Sequence, residues 1–125
     1  MKPAILVKVM MNSTCEDALG WKCCNLQGMN LEIQVANSGV KHVWLKSEVD
    51  LVGDGAIDRV GYLYPHGTHP LAPDDALSFY CSYDERRFRR FSHVVVMDEN
   101  GGRYRAAITG AYESAQVEGP DQGPP

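Results

Sequence analysis

Asn30 to Val52 reads NLEIQVANSGVKHVWLKSEVDLV, and its pattern decides the fold. Leu31, Ile33 and Val35 alternate with Asn30, Glu32 and Gln34. After an Asn37-Ser38-Gly39 break, Val43, Leu45, Val49 and Leu51 alternate with Lys46, Glu48 and Asp50. A period of two puts every second side chain on one face of an extended chain, which predicts two half-buried strands, each wet on one side. Alternation this regular is typical of antiparallel pairing with one solvated face, so the two are read as an antiparallel pair about the break.

The flanking sequence repeats the same kind of unit. Ile5, Val7 and Val9 alternate with Leu6, Lys8 and Met10 in a strand expected to begin near Pro3, a residue tolerated where a strand starts. From Asn12 to Gly28 the period dissolves. Ser13 or Thr14 before Glu16-Asp17-Ala18-Leu19 has the form of a capped helical turn closed by Gly20, and Trp21 to Leu26 reads as a short edge strand or loop. Ala56 to Tyr64 is partly apolar on both faces, as in a strand that crosses between two sheets or lies at an edge. Pro65-His66-Gly67-Thr68-His69-Pro70 is read as a loop, because two prolines and a glycine do not extend a ladder. Leu77, Phe79 and Cys81 alternate with Ser78, Tyr80 and Ser82 after the turn residues Pro73-Asp74-Asp75. Asp84 to Phe91, DERRFRRF, then interrupts the pattern. It is expected to be a connection with exposed arginines, anchored by Phe88, Phe91 or both.

The last hairpin, Ser92 to Thr109, allows its register to be predicted. Asp98-Glu99-Asn100-Gly101 suits a type I turn with a bulged glycine, whereas Asn100-Gly101 alone suits a two-residue type I′ loop. The bulged turn sets Val96 against Tyr104 and Val94 against Ala106 on one apolar face; the shorter loop mixes valines with Arg103 and Arg105. The bulged turn is therefore predicted. From Ala111 the chain reads AYESAQVEGPDQGPP with no apolar period, so residues 1–110 are assigned to the domain and 111–125 to a disordered acidic Pro/Gly tail.

A chain of 125 residues fits one domain, which at that size buries about 65% of its unfolded surface without metals or disulfides. The net charge of -4 gives no global attraction to nucleic acid or to an anionic membrane. No apolar run approaches the ~18 residues of a membrane span, and KPAILVKVMM, interrupted by Lys8, is too short for a leader core. The expectation is a cytoplasmic protein without membrane association, with Cys15, Cys23, Cys24 and Cys81 as free thiols. About seven short strands joined by Gly, Pro, Asn and Asp turns describe an all-β, antiparallel two-sheet sandwich better than a barrel.

Leu31 to Gly39, Val43 to Leu45, Pro70-Leu71-Ala72-Pro73-Asp74 and Val94 to Tyr104 follow one another in an order that resembles small bacterial and phage immunoglobulin-like domains of unknown function. In that group an N-x-G turn leads into a strand, a P-L-x-P-G turn into the next, and a V-D-x-x-G-x-x-Y hairpin closes the sheet. Asp74 stands where glycine is usual. The likeness covers about residues 29 to 108, and it implies an immunoglobulin-like architecture while carrying no chemistry. An immunoglobulin disulfide would use Cys24 and Cys81 around Trp44, but Cys24 precedes the Leu31 strand and Trp44 shares the face of Lys46 and Glu48.

Few residues suggest chemistry. His66 and His69 are the histidines at metal spacing, and the adjacent Cys23-Cys24 pair lacks the C-x-x-C spacing that would complete a zinc site, so no metal or cofactor is assigned. Cys81, His93 and Asp98 supply the residue types of a small Cys/His hydrolase, yet Cys81 lies in phase with Leu77 and Phe79 on an inward face. The expected function is a non-catalytic binding or assembly module with a protein partner or a second copy of itself. Its candidate binding residues are Arg86, Arg87, Arg89 and Arg90 with Tyr62 and Tyr64, since guanidinium groups take phosphate or carboxylate bidentately. A single-strand-binding β-barrel using Arg86 to Arg90 is the alternative.

Overall fold

The computed structural model describes residues 5–12 and 30–118. In chain order its elements are β1 (Ile5–Asn12), β2 (Asn30–Asn37), β3 (Val43–Gly53), β4 (Ala56–Val60), β5 (Thr68–Leu71), β6 (Ala76–Ser82), α1 (Glu85–Phe88), β7 (Phe91–Asp98), β8 (Arg103–Ala107), β9 (Glu113–Ser114) and β10 (Gln116–Glu118). They form two antiparallel sheets, β6-β2-β1-β9 and β10-β8-β7-β3-β4, with β5 also paired to β3. This is an all-β sandwich, and its two separate ladders rule out a closed barrel. Among the described residues no helix is long and apolar enough to cross a membrane.

The inward residues of the alternating runs make the core. Ile5, Val7 and Val9 of β1, Leu31, Ile33 and Val35 of β2, and Phe79 and Cys81 of β6 meet Leu45, Val49 and Leu51 of β3 and Val94 and Val96 of β7. Burial of this kind contributes about 25 cal/mol per Å² of apolar surface and is the main force holding the sheets together. β2 and β3, however, are not a hairpin. β2 pairs with β1 and β6, while β3 pairs with β4, β5 and β7 in the opposite sheet. Alternation reports that one face of a strand is buried, and it is silent about which neighbour lies beside it; here residues 38–42 carry the chain across the sandwich.

Four further expectations are settled by the pairing. The last hairpin has the bulged register, with Val96 against Tyr104 and Val94 against Ala106, and Gly101 takes the left-handed conformation at φ 86°. Residues 56–64 do cross between sheets: β4 pairs with β3, and Tyr64 then forms a bridge with Tyr80 of β6, each amide 2.7 Å from the other's carbonyl. The proline-bounded loop is partly a strand, because Thr68–Leu71 returns to pair with Val43–Lys46, with Pro70 opposite Trp44. Its edge position allows proline to forgo a ladder bond. The run assigned to the tail is partly strand as well. Glu113–Ser114 pairs with β1 and Gln116–Glu118 with β8, and Ala115 and Val117 pack against the core. A two-residue and a three-residue strand are too short to show a period.

The outer face of the larger sheet is less wet than alternation predicts. Trp44 and Lys46 are exposed, but Asp50 is 2% exposed and its cross-strand neighbour Val95 is buried too. Asp50 Oδ1 accepts from Arg59 Nε at 2.7 Å and Oδ2 from Arg103 Nη2 at 3.2 Å, so two arginines close over the carboxylate. The Arg59 hydrogen bond, with help from Arg103, holds the Asp50 carboxyl below its ordinary range although burial pushes the other way. The helical turn expected near Glu16, the strand or loop at 21–26 and three of the four cysteines lie outside the described residues.

Candidate anion-binding cleft

Asp84 builds the site locally. Its side chain accepts from the Arg86 amide at 3.1 Å as an N-cap, Glu85 follows in the first turn, and Arg86 and Arg87 fall in the last turn. The segment expected to be a plain connection is therefore one turn of helix between β6 and β7. A capping aspartate, an acidic first turn and basic residues after it are the sequence signal for that turn. Phe88 and Phe91 are half-buried against the core, as expected of the anchors.

The cleft divides the four arginines. Arg86, Arg87 and Arg90, with Asp84, line an open cleft of about 500 Å³. Arg89 points elsewhere and bonds Glu85 at 3.3 Å. Arg87 Nη2 lies 3.4 Å from Asp58 Oδ2 on β4, and the buried Tyr83 hydroxyl donates to the same oxygen. Arg86 and Arg90 make no ion pair among the described residues.

The other candidates separate. Tyr62 is 55% exposed and is not among the residues that line the cleft; burial raises its phenol above the ordinary range, and the nearby Cys81 and Asp58 push the same way. Tyr64 does not join it; its ring stands edge-on to His66 with centroids 6.2 Å apart. His69 Nε2 faces two carbonyl oxygens, of Pro65 at 3.0 Å and His66 at 2.9 Å. Only acceptors face that nitrogen, so it carries the hydrogen and has no lone pair for a metal. Among the described residues no group of three or more His, Cys, Asp or Glu is placed to hold an ion.

The hydrolase residues are likewise apart. Cys81 is a buried free thiol on β6, and burial pushes it up to about 12. His93 is on β7 in the opposite sheet, its Nδ1 2.8 Å from Ser92 Oγ. Asp98, at the far end of β7, accepts from the Gly102 amide at 2.7 Å, the Asn100 amide at 2.9 Å and the Tyr104 hydroxyl at 2.7 Å. It therefore clasps the turn.

Asp58 and Tyr83 were not legible as site residues. They lie 25 positions apart and meet only because the chain crosses from one sheet to the other after Val60. Comparison with protein-family models, curated proteins and solved structures finds no match for this chain.

Proposed function

We propose that this protein is a non-catalytic binding module that takes an anionic group of a partner in the α1 cleft. The observation that carries this reading is that Arg86 and Arg90 line an open cleft without an ion pair among the described residues. Guanidinium groups are weakly hydrated and rigidly forked, which suits them to bidentate anion recognition. Three cleft arginines give a single strand few contacts, with a salt slope of only about -2, and an acidic protein repels the remaining phosphates. Against an enzyme reading stand the buried thiol, the distant histidine and the aspartate held by its turn.

The test is Arg86→Glu with Arg90→Glu, measured against a short acidic peptide and a single-stranded oligonucleotide across a salt series. The expected result is salt-dependent binding of the peptide by the wild-type protein, abolished in the double variant. Absence of salt-dependent affinity for either ligand would remove the cleft from the proposal. Self-association is the second reading. It is favoured by β4, a terminal strand with neither lysine nor proline and with Ile57 70% exposed. It predicts a dimer by light scattering at ~100 µM, and a monomer there would defeat it.

A further inference from the structure

We infer that the α1 cleft selects a phosphate monoester dianion over a carboxylate through Arg87, whose pairing with Asp58 any incoming anion must displace; the inference rests on the cleft being the binding site proposed above. Arg87 lines the cleft, but its guanidinium is already held by Asp58 Oδ2 at 3.4 Å. An incoming carboxylate that draws Arg87 over exchanges one carboxylate for another of equal charge. Little is gained. A phosphate monoester carries about -1.5 to -2 charge near neutral pH and three strong acceptor oxygens. It can engage Arg86, Arg90 and Arg87 together, and the exchange at Arg87 then favours the higher charge. Asp58 keeps a donor throughout, because the Tyr83 hydroxyl bonds the same oxygen.

The lining favours a compact ligand. Asp84 also lines the cleft, its carboxylate already occupied by the Arg86 amide, so a second negative group laid along the helix would meet like charge. Asp58 thus acts as a resident competitor that any ligand of Arg87 must displace.

The experiment titrates the full-length protein with inorganic phosphate, phenyl phosphate, a phosphoserine peptide and acetate, following the amide resonances of residues 84–91. Phosphate should bind the wild type about tenfold more tightly than acetate, the value of roughly one charge-assisted contact. Asp58→Asn frees Arg87 for either anion and should tighten phosphate and acetate alike, by about three- to tenfold, leaving phosphate ahead. The exposed Arg87→Ala should lower phosphate toward acetate, so the inference stays testable if Asp58→Asn does not fold. A phosphoserine peptide tighter than phenyl phosphate identifies a phosphorylated partner chain, and the reverse order a small phosphate ester; either supports the inference. Equal binding of phosphate and acetate by the wild type, or a ratio unchanged by Arg87→Ala, overturns the selectivity while leaving the site, and affinities unmoved by Asp58→Asn overturn the competition at Arg87. If no anion perturbs residues 84–91, the binding site itself falls.

Discussion

Asn37 ends β2, only 2% exposed, and it ties together the β2–β3 and β5–β6 connections. Its Nδ2 donates to the Lys41 carbonyl at 2.7 Å and the Leu71 carbonyl at 3.0 Å, while Oδ1 accepts from the Gly39 amide at 2.9 Å. Its backbone carbonyl takes the Asp74 amide at 2.7 Å, and Asp74 itself stands in the left-handed region at φ 67°. Asn37→Ala leaves two carbonyls and an amide without their partner, so a loss of about 2–4 kcal/mol is expected in urea unfolding. Asp74→Gly should be neutral or slightly stabilising, whereas Asp74→Val should cost about 1–3 kcal/mol, since a β-branched residue at positive φ is strained. Alkaline stability belongs to this scale as well. Burial pushes the Cys81 thiol from 9.0 to about 12, and Tyr83 is raised by burial and by Asp58. Each group is favoured neutral in the folded protein and ionises more readily when unfolded. Their contribution is therefore complete below the unfolded value and is lost as pH rises through the folded one. Urea midpoints should hold up to pH about 9 and decline from there toward 12. A flat profile to pH 11 would contradict the burial of both groups.

At the scale of elements, the position of α1 is fixed by a close backbone approach at Gly53, the last residue of β3. A Cβ there would sit 2.1 Å from the Arg90 carbonyl oxygen, at the register shift where Gly53 pairs with Phe91. Gly53→Ala must push the Arg90–Phe91 segment outward, costing about 1–3 kcal/mol by overpacking. Because Arg90 lines the cleft, phosphate affinity should fall with stability, and an unchanged affinity would show that the cleft tolerates that displacement. Most elements were legible in the sequence wherever a strand buries one face over five or more residues: Leu31 to Val35, Val43 to Leu51, Leu77 to Cys81 and the Val94–Tyr104 hairpin all lie where alternation places them. The partnership of β2 and β3 was not legible, since period two carries no neighbour information. Asp50 was misread as wet because arginines from two other strands close over its carboxylate. Of the site, the arginines were legible as a charge cluster. Their division into Arg86, Arg87 and Arg90 against Arg89 needed the tertiary fold, as did Asp58 and Tyr83.

For the whole molecule, the sandwich is laced on both open sides by chain that changes sheets. On one side β4 leaves β3, the chain reaches Tyr80 through Tyr64, and β5 returns to β3. On the other, β9 pairs with β1, the Ala115 amide bonds the Ile5 carbonyl at 2.8 Å, and β10 pairs with β8. Side chains reinforce the second lacing: Tyr112 donates to Gln34 Oε1 at 3.0 Å, its ring lies 5.7 Å from Lys8 Nζ, and Arg103 Nε stands 3.6 Å from Glu118 Oε1. These exposed contacts are individually weak, but the strands they hold cover two sheet edges and the half-buried Ala115 and Val117. Truncation after Gly110 should therefore cost at least about 3 kcal/mol, a large share of the 5–15 typical of a domain. Val117→Asp, which keeps the chain length and puts a charge among core neighbours, should cost about 1–3 kcal/mol. Both are read as shifts in the urea midpoint. If neither variant moved it, the C-terminal strands would contribute nothing to stability, and residues 111–118 would behave as the tail that their sequence suggests.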